Sequence, residues 1–233
     1  KPDVALIAGM GIIALFTAFF GSYLIGILTI LLVSKQTKAK ITPLLVMLGA
    51  GTALLTYCVL GVIDSKPAVT LPAYDRHITA PTIVWSLVLV AAGYGIVRLL
   101  SVLYDKFRQL YAYILTQTWW AHALTAASGL TLLYLIGGPL VQFTGNDSIV
   151  PLFDQATTIG ALGIVWVIIV KVTAIAWSKA IGYHGGIIFP TIFLAAGCVI
   201  LLQFFIPNFN AIYGLIATLV GAFIANSKTG ILA

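Results

Sequence analysis

The stretch that decides the fold is Gly182-Tyr183-His184-Gly185-Gly186-Ile187-Ile188-Phe189-Pro190. It interrupts a long apolar sequence, which runs from Gly160 to Ala180 before it and from Thr191 to Phe205 after it. Its glycines permit backbone conformations that other residues resist. Pro190 suits the first turn of a helix, where its missing N–H costs nothing. The stretch therefore predicts a helix that begins inside apolar surroundings.

The start of this helix is the candidate binding site. The N–H groups of Gly186 to Phe189 would have no acceptor within the helix. In hydrocarbon such donors need a partner, so irregular backbone is confined to places where it lines a cavity or packs against protein. Because the N-terminus of a helix attracts anions, one interpretation is an anion site. The other is a glycine-rich kink where two helices cross closely.

The composition indicates a helical membrane protein. Hydrophobic residues make up 61% of the chain and charged residues 8%, and the mean hydropathy is +1.11. These values exclude an ordinary soluble domain, and the continuous apolar runs favour helices over a barrel. The net charge of +6 is spread over loops. We interpret the basic residues as signals of membrane topology and as contacts for anionic lipid headgroups, and not as a surface that binds nucleic acid. We therefore predict an all-α, multi-pass integral membrane protein with no soluble domain.

The apolar segments predict where the chain crosses the membrane. A broken pair comes first, with Val4 to Phe20 and Tyr23 to Val33 each short of the roughly 20 residues that a full crossing needs. Lysines 35, 38 and 40 place the following loop on the cytoplasmic side. The other predicted segments are Ile41 to Ile63, Ala80 to Leu103, Ala121 to Ile136, Thr157 to Ala180, Thr191 to Phe205 and Ile212 to Ile224.

An internal repeat links the two ends of the chain. Seven of the seventeen residue pairs are identical when Ile12 to Leu28 is set against Ile216 to Leu232. Duplicated halves with broken helices are typical of transporters. The repeat predicts a single transmembrane domain, 1–233, with the end of a first repeat in about 1–63 and most of a second in about 78–233. It also leads us to expect that the sequence is part of a longer protein.

Two charged or titratable residues are candidates for shaping an ion pathway. Lys171 lies deep in an apolar segment, where a charge is expensive and usually marks a pathway or a buried pair. Asp154 is its nearest candidate partner in the sequence. His184 could titrate near neutral pH, or pack near the cytoplasmic mouth. Lys179 is expected to extend to the membrane interface.

No constellation of residues points to an enzyme. The three His residues are scattered, Glu is absent, and no Ser/His/Asp or metal-ligand spacing recurs. We predict no catalytic residue, no metal and no cofactor. Two other functions stay open besides anion transport. One is a cation-coupled transporter of a carboxylate-bearing solute, which would use the same helix start, and the other is a non-transporting membrane subunit.

The segment from Gly185 to Pro190 resembles the glycine–glycine–x–x–x–proline signature of the CLC family of chloride channels and proton/chloride antiporters. The resemblance is strongest from about Gly137 to Gly230. The internal repeat agrees with it, since members of this family are built from two inverted halves. Neighbouring segments that also resemble the family are Phe20 to Gly26, Thr144 to Ser148, Val150 to Leu152 and Lys171 to Ala180.

The resemblance implies a binding site for a dehydrated chloride ion at the membrane centre. The amides of Ile187 and Ile188 would bind the ion, Gly185 and Gly186 would permit its approach, and Phe189 would line the pathway. Chloride would be the substrate, with no further cofactor. The resemblance also implies a homodimer in the cell membrane of a bacterium.

Part of the family pattern lies outside this chain. The serine-bearing and gating-glutamate signatures would be upstream, and the tyrosine that closes the chloride site would be downstream of Ala233. Where antiporters of the family carry a second proton glutamate, this chain has Val33. An apolar residue cannot relay protons, which favours a channel-like or weakly coupled protein. The choice between channel and antiporter stays open.

Overall fold

The computed structural model describes residues 2–23, 26–27, 43–63, 80–114, 118–145, 147–183 and 188–229. Nearly all of these residues are helical, and these ranges contain no strand. The chain divides into two compact units, Lys1–Leu71 and Pro72–Ala233.

The first unit contains helices α1 (Pro2–Phe20) and α2 (Pro43–Val62), which pack against each other. Ile13 of α1 and Ala53 of α2 are wholly buried in the contact. Helix α1 ends where the sequence predicts a break, and Gly21 follows it with φ 57°. Left-handed backbone of this kind is readily adopted by glycine.

The second unit is a bundle of helices with one long irregular connection. Its elements are α3 (Ala80–Ile114), α4 (Trp119–Gly137), a 3-10 turn (Pro139–Val141), α5 (Ile149–Asp154), α6 (Ala156–Ala180), α7 (Ile188–Phe205) and α8 (Ala211–Thr229). Helices α3, α4 and α6 are long and apolar enough to cross a membrane. This finding confirms the coarser part of the prediction, an all-helical protein with helices long and apolar enough to span a membrane.

Helix α3 is longer than the sequence predicts. The apolar run ends at Leu103, but the helix continues to Ile114. Residues 104–114 include no glycine or proline that would stop it. The rings of Phe107 and Tyr111 also pack edge-on against Trp177 of α6, with centroids 5.4 and 6.4 Å away. Helical propensity and aromatic packing therefore extend α3 past the apolar run.

Helix α8 is also longer than predicted. The polar residues from Asn226 to Lys228 predict a break, but the helix passes through them and ends at Thr229. Asn226 is buried, and the Thr229 hydroxyl donates a hydrogen bond to the backbone oxygen of Ala225 at 3.2 Å. Tertiary packing therefore overrides the local polar signal.

Helix α7 lies at the centre of the second unit. It contacts α3, α5, α6 and α8, and every residue from 191 to 200 is buried. A shared apolar cluster joins α3, α6, α7 and α8; its fully buried members include Val97, Leu100, Val172, Leu194 and Ala222. This cluster fixes the position from which α7 begins.

The contact between α3 and α8 depends on two glycines. A Cβ atom on Gly93 would overlap the backbone oxygen of Thr218, and one on Gly221 would overlap the backbone oxygen of Val90. The two helix backbones therefore touch directly. Small residues at helix contacts allow such close approach inside membranes.

Replacing Gly93 with Ala is expected to weaken this contact and lower the thermal unfolding midpoint measured in detergent. Gly95→Ala is the matched control on the same helix, because no atom lies within 4 Å of the added Cβ. Because Ala has a higher helix propensity than Gly, by about 1 kcal/mol, the Gly95→Ala variant should be as stable as the unsubstituted protein or more stable. Equal midpoints for the two variants would contradict the described packing.

Candidate functional site

The described first turn of α7 is partly buried in the second unit. The helix begins at Ile188, and Pro190 lies in its first turn, as the sequence predicts. Pro190 and Thr191 are buried and Phe189 is half-buried. The N–H groups of a helix's first turn have no acceptor within the helix. The described first turn of α7 therefore runs from a half-buried Phe189 to the buried Pro190 and Thr191, with the positive end of the helix dipole at its start.

The structure describes only part of the predicted anion site. Ile188 is the first residue of α7 and Phe189 is the second. The other predicted site residues, His184, Gly185, Gly186 and Ile187, lie outside the described residues. Val33, which stands at the position of the second proton glutamate, lies outside them too.

Lys171 of α6 is fully buried, with 0% of its surface exposed. Its ammonium group donates hydrogen bonds to the backbone oxygens of Val141 at 2.8 Å, Gln142 at 3.3 Å and Phe143 at 2.9 Å. Three acceptors match the three N–H donors of an ammonium group. Asp154, the candidate partner from the sequence, is exposed at the end of α5. The lysine is therefore held by backbone carbonyls.

The carbonyls converge because the connection between α4 and α5 leaves helical geometry. Gly138 ends α4 with φ 70°, Phe143 has φ 50° and Gly145 has φ 81°. A positive φ is uncommon for a residue other than glycine. A Cβ atom on Gly145 would lie 3.0 Å from the Lys171 nitrogen. The connection therefore wraps closely around the lysine head.

The ammonium group of Lys171 lies beside α7, at Phe193. Its nitrogen is 5.1 Å from the ring centroid of Phe193. Phe193 is five positions beyond Ile188, which is about 8 Å along a helix axis. A buried positive charge and the positive end of a helix dipole thus occur in one region of the second unit. Their potentials add, and both favour an anion.

The sequence does not reveal the three carbonyl acceptors, because every residue carries a backbone oxygen. The sequence nevertheless contains two features that indicate this contact. The break at Gly137-Gly138-Pro139 and the later Gly145 indicate irregular backbone, and Lys171 is a charge in an apolar helix. Irregular backbone in hydrocarbon needs hydrogen-bond partners, so a buried lysine is a natural donor to it.

Comparison with protein-family models, with curated proteins and with solved structures found no match to this chain.

Replacing Lys171 with Met should lower stability markedly. The variant keeps most of the side-chain volume but leaves three carbonyls, one of them on the fully buried Val141, without the ammonium donor, at a cost of about 2 kcal/mol or more. Lys179→Met is the matched control on the same helix, where the lysine is half-buried. Thermal unfolding in detergent should show a clearly lower midpoint for Lys171→Met alone. Equal midpoints would mean that the carbonyl contacts contribute nothing.

Proposed function

We propose that this protein transports chloride or a similar small anion across a membrane, through a pathway built on helix N-termini. The observation that carries the proposal is the partly buried first turn of α7, where Pro190 and Thr191 are already buried. A helix N-terminus that opens into protein interior offers N–H donors and a positive dipole end. An anion is the ligand that such a place favours.

The resemblance to the CLC family supports the same position. The resembling segment ends at Pro190, in the first turn of α7. In the proposal the amides of Ile187 and Ile188 bind chloride, and Phe189 lines the pathway. Gly185 and Gly186 permit the close approach of the ion. The protein would act as a homodimer in a bacterial cell membrane, either as a passive channel or as a proton-coupled antiporter.

Lys171 contributes through its field rather than by contact. Its three N–H donors are taken by backbone carbonyls, so it does not offer a salt bridge to a passing ion. A fixed positive charge nearby still raises the local concentration of anions. An ion held by neutral dipoles can also leave, which conduction requires.

The Ile188→Pro variant tests the proposed amide donor. Proline is tolerated at the first helical position, so the variant removes one N–H while the helix can still form. Hydrogen bonds to charged groups contribute about 1.5–3 kcal/mol, and chloride efflux from liposomes should therefore fall about tenfold or more. Ile188→Ala is the matched control, since it keeps the amide and should conduct far better than Ile188→Pro. Undiminished efflux through Ile188→Pro would count against the site.

The same liposomes separate the proposal from its alternatives. Uptake of a carboxylate-bearing solute that depends on a cation gradient, without halide flux, would favour a cation-coupled transporter. The absence of both fluxes would favour a non-transporting membrane subunit, in which the start of α7 serves packing alone.

A further inference from the structure

The connection between α4 and α5 points three consecutive backbone oxygens at one place. The oxygens of Val141, Gln142 and Phe143 lie 2.8, 3.3 and 2.9 Å from the Lys171 nitrogen. Rings of backbone carbonyls replace the hydration shell of alkali cations in channels. Unwound backbone carbonyls likewise coordinate the coupling cation in many secondary transporters. The Lys171 nitrogen therefore occupies a place with the chemistry of a monovalent-cation site.

The groups around the Lys171 nitrogen favour an occupant with a single positive charge. The three carbonyls are acceptors only, so a protonated amine with three donors satisfies them, whereas a neutral amine has two. The ring of Phe193 adds an aromatic face, 5.1 Å from the nitrogen, which also attracts a cation. Lys171 itself has 0% exposure, which keeps its ammonium group away from solvent.

The backbone is shaped around the cation. The positive φ values of Phe143 and Gly145, 50° and 81°, turn the chain on one side of the three-carbonyl set. A side chain at Gly145 would be crowded, since its Cβ would stand 3.0 Å from the Lys171 nitrogen and 3.2 Å from the ring of Phe193. Backbone and aromatic ring therefore pack closely around the ammonium group.

We infer that the oxygens of Val141, Gln142 and Phe143 form a monovalent-cation site whose permanent occupant is the protein's own Lys171. The cation is attached to α6 and cannot exchange with solution. The protein therefore needs no dissolved Na⁺ or K⁺ to hold this connection in place, and it cannot use this site to couple transport to a cation gradient. The inference stands on the geometry of the second unit and does not depend on the proposed anion transport.

Lys171→Ala tests the inference, because it removes the attached cation and opens space for a free one. The thermal unfolding midpoint of the full protein would be measured in choline, potassium, ammonium and n-propylammonium chlorides at one ionic strength. Choline carries three methyl groups on its nitrogen, so its charge cannot approach the three oxygens as closely as potassium or ammonium can. We expect the variant's midpoint to rise saturably, by roughly 5 °C, as a small cation replaces choline. The unsubstituted protein should show the same midpoint in all four salts.

Lys171→Met is the matched control, because its side chain fills the space without charge. It should be destabilised yet respond to none of the four salts. A Lys171→Ala variant with one midpoint in every salt would overturn the inference. So would a variant that fails to fold in all four salts, since a cation site should accept the ammonium ion. Recovery of the fold only in potassium, ammonium or n-propylammonium would support it.

Discussion

The requirement that buried backbone polar groups find partners governs this structure. In hydrocarbon no water can supply those partners, so a helix that breaks within the membrane must satisfy its free N–H and C=O groups from within the protein. Two places in the described part of the second unit bear on this requirement, the connection before α5 and the start of α7. At the first, the ammonium of Lys171 donates to the oxygens of Val141, Gln142 and Phe143. At the second, a transported anion is the partner that we propose for the amides of Ile187 and Ile188.

Helix α6 connects these two places. Lys171 in its middle holds the connection between α4 and α5, while Trp177 near its end packs against Phe107 of α3. Trp177 also donates a hydrogen bond to the backbone oxygen of Ala126 in α4, at 3.3 Å, and a Cβ on Gly129 would crowd its ring. One helix thus positions α3, α4 and the irregular connection. These contacts hold in place the elements that surround α7.

The sequence predicts those features that depend on apolar length and on local backbone preference. The bounds of α2, α4 and α6 lie within about two residues of the predicted segments, since loss of apolar character marks their ends. Pro190 predicts the first turn of α7 because its fixed φ suits that position. Apolar character and the fixed φ of proline are properties of the local sequence, so contacts made on folding do not change them.

Features that depend on contacts distant in the sequence were missed. Helix α3 continues past Leu103 because the rings of Phe107 and Tyr111 reach Trp177, a residue 66 positions beyond Tyr111. The partner of Lys171 was sought among acidic side chains, whereas the structure supplies backbone oxygens, which no residue type identifies. The amide site before α7 stays a prediction, because His184 to Ile187 lie outside the described residues.

Chloride efflux from liposomes that hold the intact protein, recorded together with external pH, tests the central claim most directly. The account predicts that chloride leaves the liposomes down its gradient. Efflux without proton movement would indicate a passive channel, consistent with the apolar Val33, and efflux with stoichiometric proton uptake would indicate an antiporter. Absence of efflux for chloride and for every other halide would contradict the proposed function.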